Sequence, residues 1–233
     1  MIYELAHIIK DKLAFLWNFI EWGNAIVFFL LYGRKLKEAD GVMRKLVTYP
    51  YEMRVVNDSD ILSLVSFFNR QPRDAFKFFH PHKFDEDSLR RIVHNKSFLA
   101  FLLVEKQQMD NEVVGYAFMR SFANGASYRG YMVDARHRGK GLAKIMGYGL
   151  NGIGDALGLK MYKSISPDNM ASMKATQAVC DVEILKTLDN GDYLIKCMSK
   201  YGMNKNTIGG GKCAVTQIVT ISIVPQDRRK YAA

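Results

Sequence analysis

Three cysteines in 233 residues, Cys180, Cys197 and Cys213, are too few and too scattered for a disulfide framework or a metal cluster. Reduced thiols, as in a cytoplasmic protein, are the default for such a set. No histidine-bearing motif flanks any of them, which sets cysteine catalysis aside, and no metal-ligand spacing is found. Acidic residues run short as well. The chain has 23 Asp and Glu against 33 Lys and Arg, a net charge of +10 and a pI near 9.4. That surplus suits an anionic ligand or an anionic membrane surface. The aromatic-basic motifs of nucleic-acid readers are absent, so nucleic acid is not an expected partner.

A long unbroken apolar run is also missing. Leu13 to Tyr32 approaches the roughly 20 residues of a bilayer span, with basic flanks at Lys10, Lys12, Arg34 and Lys35. Asn18, Glu21 and Asn24 interrupt it. Spaced by three, they form one narrow polar stripe on a helix, and a glutamate in lipid is expensive. Three readings stay open. The helix lies in a membrane interface with Trp17 and Trp22 near the headgroups, or packs on its own domain or a second subunit of a homodimer, or spans the bilayer, which fits least. No small-residue cleavage site follows, so a signal peptide does not fit. Removing residues 1–37 is expected to spare the ligand site and to change membrane association or oligomeric state.

What is present is 48% hydrophobic and 12% aromatic residues, enough for one sizeable core with extensions. The most informative stretch is Val133-Asp134-Ala135-Arg136-His137-Arg138-Gly139-Lys140-Gly141-Leu142-Ala143. A strand-like run, Ala126 to Val133, ends there in a basic, glycine-punctuated turn, and a helix is predicted from Leu142 to Leu157. Glycine lets backbone N–H groups approach a ligand, and the first N–H groups of a helix have no partner within it. Arginine grips phosphate with two parallel bonds. The element is built for a phosphate or pyrophosphate. The glycine spacing does not fit a dinucleotide fold, and Leu142 after Gly141 does not fit a nucleotide-triphosphate loop.

Around this turn the pattern predicts strands at Tyr51–Val56, Ser97–Glu105, Glu112–Arg120 and Ala126–Val133, then Lys160–Ile165, Val182–Leu188 and Tyr193–Met198. Helices are predicted up to Phe68, from Asp85, over Leu142–Leu157 and over Asn169–Val179. The chain divides into a hydrophobic amphipathic helix (1–37), a connector (38–50), a compact domain (51–200) and a tail (201–233). In the tail, Val215 to Ile223 alternates like one strand after Gly209-Gly210-Gly211.

Arg136-x-x-Gly139-x-Gly141 resembles the Arg/Gln-x-x-Gly-x-Gly/Ala signature of the GNAT acyltransferases, and the order of elements over Tyr51 to Lys200 is the order of that fold. The resemblance implies an α/β (α+β) domain with a mixed, mostly antiparallel twisted sheet flanked by helices, to which the amino-terminal helix and the tail are additions. It implies acetyl-CoA as co-substrate. The backbone of Met132 and Val133 would pair with the pantetheine arm, and Arg136, Arg138, Gly139, Lys140, Gly141, Leu142 and Ala143 would enclose the pyrophosphate. Asn169, with Ser172 three residues on, is similar to the family's Asn-x-x-Ser/Ala element that binds the pantetheine region. A plain helix cap would explain Asn169 equally well.

The resemblance further implies direct acyl transfer to a small-molecule amine acceptor. The family's tyrosine acid, seven residues after that asparagine, is here Thr176, whose hydroxyl is a poor proton donor. Candidates elsewhere are His80 and His82, in a Phe-Phe-His-Pro-His loop, and Tyr128 and Tyr131, whose odd spacing puts them on opposite faces of a strand. A histidine that only hydrogen-bonds a neighbour is the competing reading of that loop. The aromatic loop and basic surplus suit an amino sugar or a nucleotide-linked sugar, and a membrane-facing amino terminus suits surface polysaccharide assembly at the inner membrane face. The missing tyrosine motivates the alternative, a non-catalytic acyl-CoA-binding or interaction module.

Overall fold

The computed structural model describes residues 14–46, 49–107 and 111–200. The glycine joint, the strand expected in the tail and Cys213 lie outside them. Helix α1 (Ala14–Leu46) leads into strand β1 (Tyr51–Val55), helices α2 (Ile61–Asn69) and α3 (Glu86–His94), and strands β2 (Phe98–Glu105), β3 (Glu112–Ser121) and β4 (Ala126–Val133). Helix α4 (Leu142–Leu157), strand β5 (Lys160–Ile165), helix α5 (Met170–Gln177) and strands β6 (Cys180–Thr187) and β7 (Tyr193–Ser199) follow, the last of the described elements. All seven strands form one sheet in the order β1-β2-β3-β4-β5-β7-β6. Every neighbouring pair is antiparallel except β4 and β5.

Each face of the sheet carries a core. Strand alternation sends Arg129, Tyr131 and Val133 toward α4 and Tyr128, Gly130 and Met132 to the opposite face. On the α4 side, Leu142, Met146, Leu150, Ile153 and Leu157 recur at helical spacing and pack on Met53, Leu103, Met161 and Ile195. On the other side Ile61, Leu64, Phe67 and Phe68 of α2 and Leu89 of α3 cover Leu102, Tyr116 and Met132. Asp85 caps α3, accepting from Ser88 N at 2.9 Å.

Helix α1 continues to Leu46, through most of the stretch expected as a connector. Lys37, Glu38, Ala39, Met43, Arg44, Lys45 and Leu46 are good helix formers, and no proline intervenes before Pro50. The described part of the polar stripe turns inward. Asn24 Nδ2 donates to Ser121 O (3.0 Å), Asn24 Oδ1 accepts from Ala123 N (3.0 Å), and Glu21 pairs with Arg120. On the same face Phe28 is fully buried and stacks on Tyr32 at 4.7 Å. The helix therefore lies against its own domain, and its other face, with Trp22 61% and Leu30 77% exposed, is apolar and open. No helix among the described residues is long and apolar enough to cross a membrane.

Candidate active site

Strands β4 and β5 are joined by only three rungs, Ala126 with Lys160, Ser127 with Met161 and Tyr128 with Tyr162. Beyond Tyr128 and Tyr162 they part. β4 stays paired to β3 as far as Val133, and β5 to β7 as far as Ile165, so a wedge opens between them inside the sheet. Its walls are strand edges whose backbone groups are free to take a ligand. Asp134 N donates to Val114 O at 2.9 Å. Alternation from that bond turns the backbone of Met132 toward β3 and that of Tyr131 and Val133 into the wedge. Of the two residues expected to pair with a pantetheine arm, Val133 faces the opening. Met132 does not, because its peptide groups are committed to β3, and Tyr131 takes its place.

The phosphate turn stands at the mouth of the wedge. A 3-10 turn, Ala135–His137, leads through Arg138 into Gly139 (φ 82°) and Gly141 (φ 80°). Positive φ favours glycine at both positions. A Cβ on either would meet nothing within 4 Å, so the space in front of them is clear. Gly141 is the residue before α4 and offers no side-chain cap. Its carbonyl takes the first helical bonds, from Lys144 (3.0 Å) and Ile145 (3.3 Å), so the amides of Leu142 and Ala143 have no intrahelical acceptor. Arg138 and Lys140 are exposed beside them.

Asp134 holds this turn to α2. Its buried carboxylate accepts from Arg136 N (2.9 Å), Arg70 Nε (2.7 Å) and Gln71 Nε2 (3.1 Å), and Gln71 Oε1 accepts from Ala135 N (3.0 Å). Although burial pushes the other way, donors from Arg136, Arg70 and Gln71 hold the Asp134 carboxyl well below the usual carboxylate range. Arg136 belongs to the same network, pairing with Asp134 and Glu112. Its side chain is thus spent on carboxylates, which leaves Arg138 and Lys140 as the cations facing the open side. His137 of the turn is buried, with Nε2 3.3 Å from Glu105. Glu105, Glu112 and His137 bring their ligand atoms within 4.8 Å of one another. Arg70 and Arg136 already answer Glu112, so ion pairing accounts for the group.

Asn169 is the N-cap of α5. Its Oδ1 accepts from Ser172 N at 3.0 Å, which leaves its amide nitrogen for a ligand. Ser172 Oγ and Thr176 Oγ1 face inward and accept from the ammonium of Lys163, at 2.8 and 3.2 Å. Lys163 sits beside Arg129, whose Nη1 donates to Asn151 Oδ1 and whose Nη2 lies 3.2 Å from Cys180 Sγ. Burial first, and the Arg129 charge second, push the Lys163 amine down to about 7. The candidate residues read from the sequence did not include this interior group of Lys163, Arg129, Cys180 and Cys197.

The histidines of the loop part company. His82 Nδ1 lies 2.7 Å from Lys83 O and so carries the proton, and Nε2, 2.7 Å from the Tyr116 hydroxyl, accepts. Both nitrogens are engaged and burial lowers the pKa, so His82 is a neutral anchor packed among Phe68, Phe84 and Phe98. His80 is exposed, next to Phe79 and the half-exposed Phe78, over which Lys77 lies at 4.9 Å. Tyr128 and Tyr131 fall on opposite faces as their spacing requires. Tyr128 meets Tyr162 at the last paired rung (5.7 Å), and Tyr131 lies past the fork with its hydroxyl buried.

Residues 64–179 match the acetyltransferase (GNAT) family model. No curated protein matches the chain. Among solved structures, the GNAT domain of the S. lividans protein PAT is 15% identical with a TM-score of 0.53, covering 63% of this chain and 89% of that one. Ribosomal-protein-S5-alanine acetyltransferase from Vibrio fischeri is 16% identical with a TM-score of 0.52, covering 66% and 94%. The aminoglycoside acetyltransferase AAC(6')-Ib in complex with coenzyme A and kanamycin is 15% identical with a TM-score of 0.50, covering 64% and 95%.

Proposed function

We propose, from the premise that this chain belongs to the GNAT family of acetyl-CoA-dependent N-acetyltransferases, that it acetylates a small amine acceptor of the amino-sugar or nucleotide-linked amino-sugar class. The observation that carries the transfer chemistry is the fork after Tyr128 and Tyr162 with the two positive-φ glycines at its mouth. A pyrophosphate on the amides of Gly141 to Ala143 would direct the pantetheine arm into the wedge, where the backbone of Tyr131 and Val133 can hydrogen-bond it. The acceptor amine attacks the thioester carbonyl directly in a ternary complex, and no acyl-enzyme is needed. Support for the acceptor class is the exposed Phe78 and His80, a surface on which a sugar or base ring can stack, together with the +10 charge, which favours an anionic substrate. Thiol release from acetyl-CoA, measured over amino sugars, nucleotide-linked amino sugars, polyamines and peptides, tests this. Turnover is expected with the sugars. Acetyl-CoA binding without turnover on any acceptor would favour the non-catalytic module instead.

In the same proposal helix α1 rests on the inner face of an anionic membrane. Its outward stripe of Phe19, Trp22, Ile26, Phe29 and Leu30 is flanked by exposed Arg34 and Lys35, the composition of an interfacial helix. The protein is expected to float with vesicles containing about one third phosphatidylglycerol, and Leu30→Glu is expected to reduce the floated fraction several-fold, since a glutamate would be drawn toward the acyl boundary. A dimer by sedimentation, with no flotation, would give the stripe to a second copy.

A further inference from the structure

A lysine deep in a protein is costly unless a carboxylate answers it. Among the described residues none pairs with Lys163, which is 6% exposed. Its Nζ is bonded to two neutral hydroxyls of α5, Ser172 Oγ and Thr176 Oγ1, and lies 4.4 Å from the centre of the Tyr131 ring. Those partners fix where the amine is. Lys163 is the first residue of β5 past the last rung, and Tyr131 stands on β4 three residues past it. A group rooted on one wall of the wedge that touches a side chain of the other wall, and the helix above, lies across the wedge on the α5 face of the sheet. Burial and the Arg129 charge on β4 oppose an ammonium there, with Asn151 of α4 behind Arg129, while the Tyr131 ring, Cys180 of β6 and Cys197 of β7 favour it less strongly.

We propose that Lys163 is the general acid that protonates the leaving thiolate of coenzyme A. The inference rests on acetyl transfer as the activity. Attack by the amine nitrogen on the thioester carbon forms the C–N bond, and collapse of the tetrahedral adduct breaks the C–S bond. The electron pair of that bond goes to sulfur, and the Lys163 ammonium delivers the proton that makes the free thiol. Neutral Lys163 then regains a proton from solvent, matching the proton that the acceptor nitrogen releases to solvent. An amine near 7 suits this role because its proton is held at working pH and yet readily given. The Tyr131 phenol, pushed up by burial, is less ready to give its proton.

Two measurements test it. The first needs no acceptor. In protein labelled at lysine Cε and Nζ, the Lys163 signal, identified by its loss in Lys163→Met, should titrate near neutral pH. Coenzyme A should shift it, and desulfo-coenzyme A, which lacks the thiol, should not. Titration above pH 9, or equal shifts from the two ligands, would overturn the proposal. The second is kinetic. Lys163→Met should lower kcat about 10²-fold with KM for acetyl-CoA nearly unchanged, and should remove the limb along which the wild-type rate falls as pH rises through about 7. Lys163→Arg should not rescue, because a guanidinium keeps its charge but does not release its proton. Rescue by arginine, or a large loss in Tyr131→Phe with Lys163→Met near wild type, would assign the acid elsewhere. Absence of acetyl-CoA binding to the wild type by calorimetry would instead remove the acetyltransferase reading beneath it.

Discussion

Gly141→Val should lower acetyl-CoA affinity by roughly two orders of magnitude, the largest single effect expected on ligand binding. Two costs combine. A β-branched residue at φ 80° is strained by about 1–3 kcal/mol. Relaxing that strain means rotating the peptide on which the amides of Leu142 and Ala143 depend. The new side chain also projects into the space that is clear within 4 Å in front of the turn, where the pyrophosphate is expected. The positive φ adds a fall in melting temperature, about 2–4 °C per kcal/mol for a chain of this size. Calorimetric titration of the folded variant reads the first effect and thermal unfolding the second. Undiminished affinity in a folded protein would take the turn out of the binding site. Gly139→Val, at φ 82° and equally unobstructed, should show the same strain.

The turn was legible because its chemistry is local: glycines, cations and a helix start lie within a dozen residues, and the strand pattern brackets them. The order of elements along the chain was legible for the same reason, since hydrophobic period and turn residues are near-neighbour signals. Long-range commitments were hidden. That Arg136 would spend its side chain on Asp134 and Glu112 depends on β3 and α2 arriving at the turn. That Met132 would lend its backbone to β3 depends on register, which the spacing leaves free by one residue. Lys163 left a trace that could have been followed. Met161, Lys163 and Ile165 share one face of β5, and Met161 and Ile165 are apolar and buried, so a lysine between them had to be explained. His82 illustrates the reverse: a histidine among phenylalanines has the composition of a pocket, and only the Tyr116 and Lys83 contacts show both nitrogens taken.

Phe28→Ala should lower the stability of the whole domain by about 3–5 kcal/mol, the usual cost of emptying a fully buried aromatic site. That is a large share of the roughly 5–15 kcal/mol that holds a domain folded. Phe28 is 0% exposed and belongs to the cluster that includes Leu103, Met119 and Leu150. Tyr32 and Leu36 extend the contact, and Asn24 closes two backbone hydrogen bonds at Ser121 and Ala123, in the turn from β3 to β4. This packing revises the expectation that removal of residues 1–37 spares the ligand site and changes only membrane association or oligomeric state. Truncation would strip Phe28 from the α4 face of the sheet and free the turn that precedes β4, so loss of the acetyl-CoA site is the expected result. Leu30→Glu, two residues away but 77% exposed, should leave the melting temperature within a few degrees of wild type while changing flotation. The pair therefore separates the two faces of one helix. If Phe28→Ala melts within about 2 °C of wild type, α1 is not part of the core and the outward stripe would have to be reconsidered with it. If Phe28→Ala is destabilised by the expected amount and Leu30→Glu is not, the inward face holds the fold and the outward face is free for a partner.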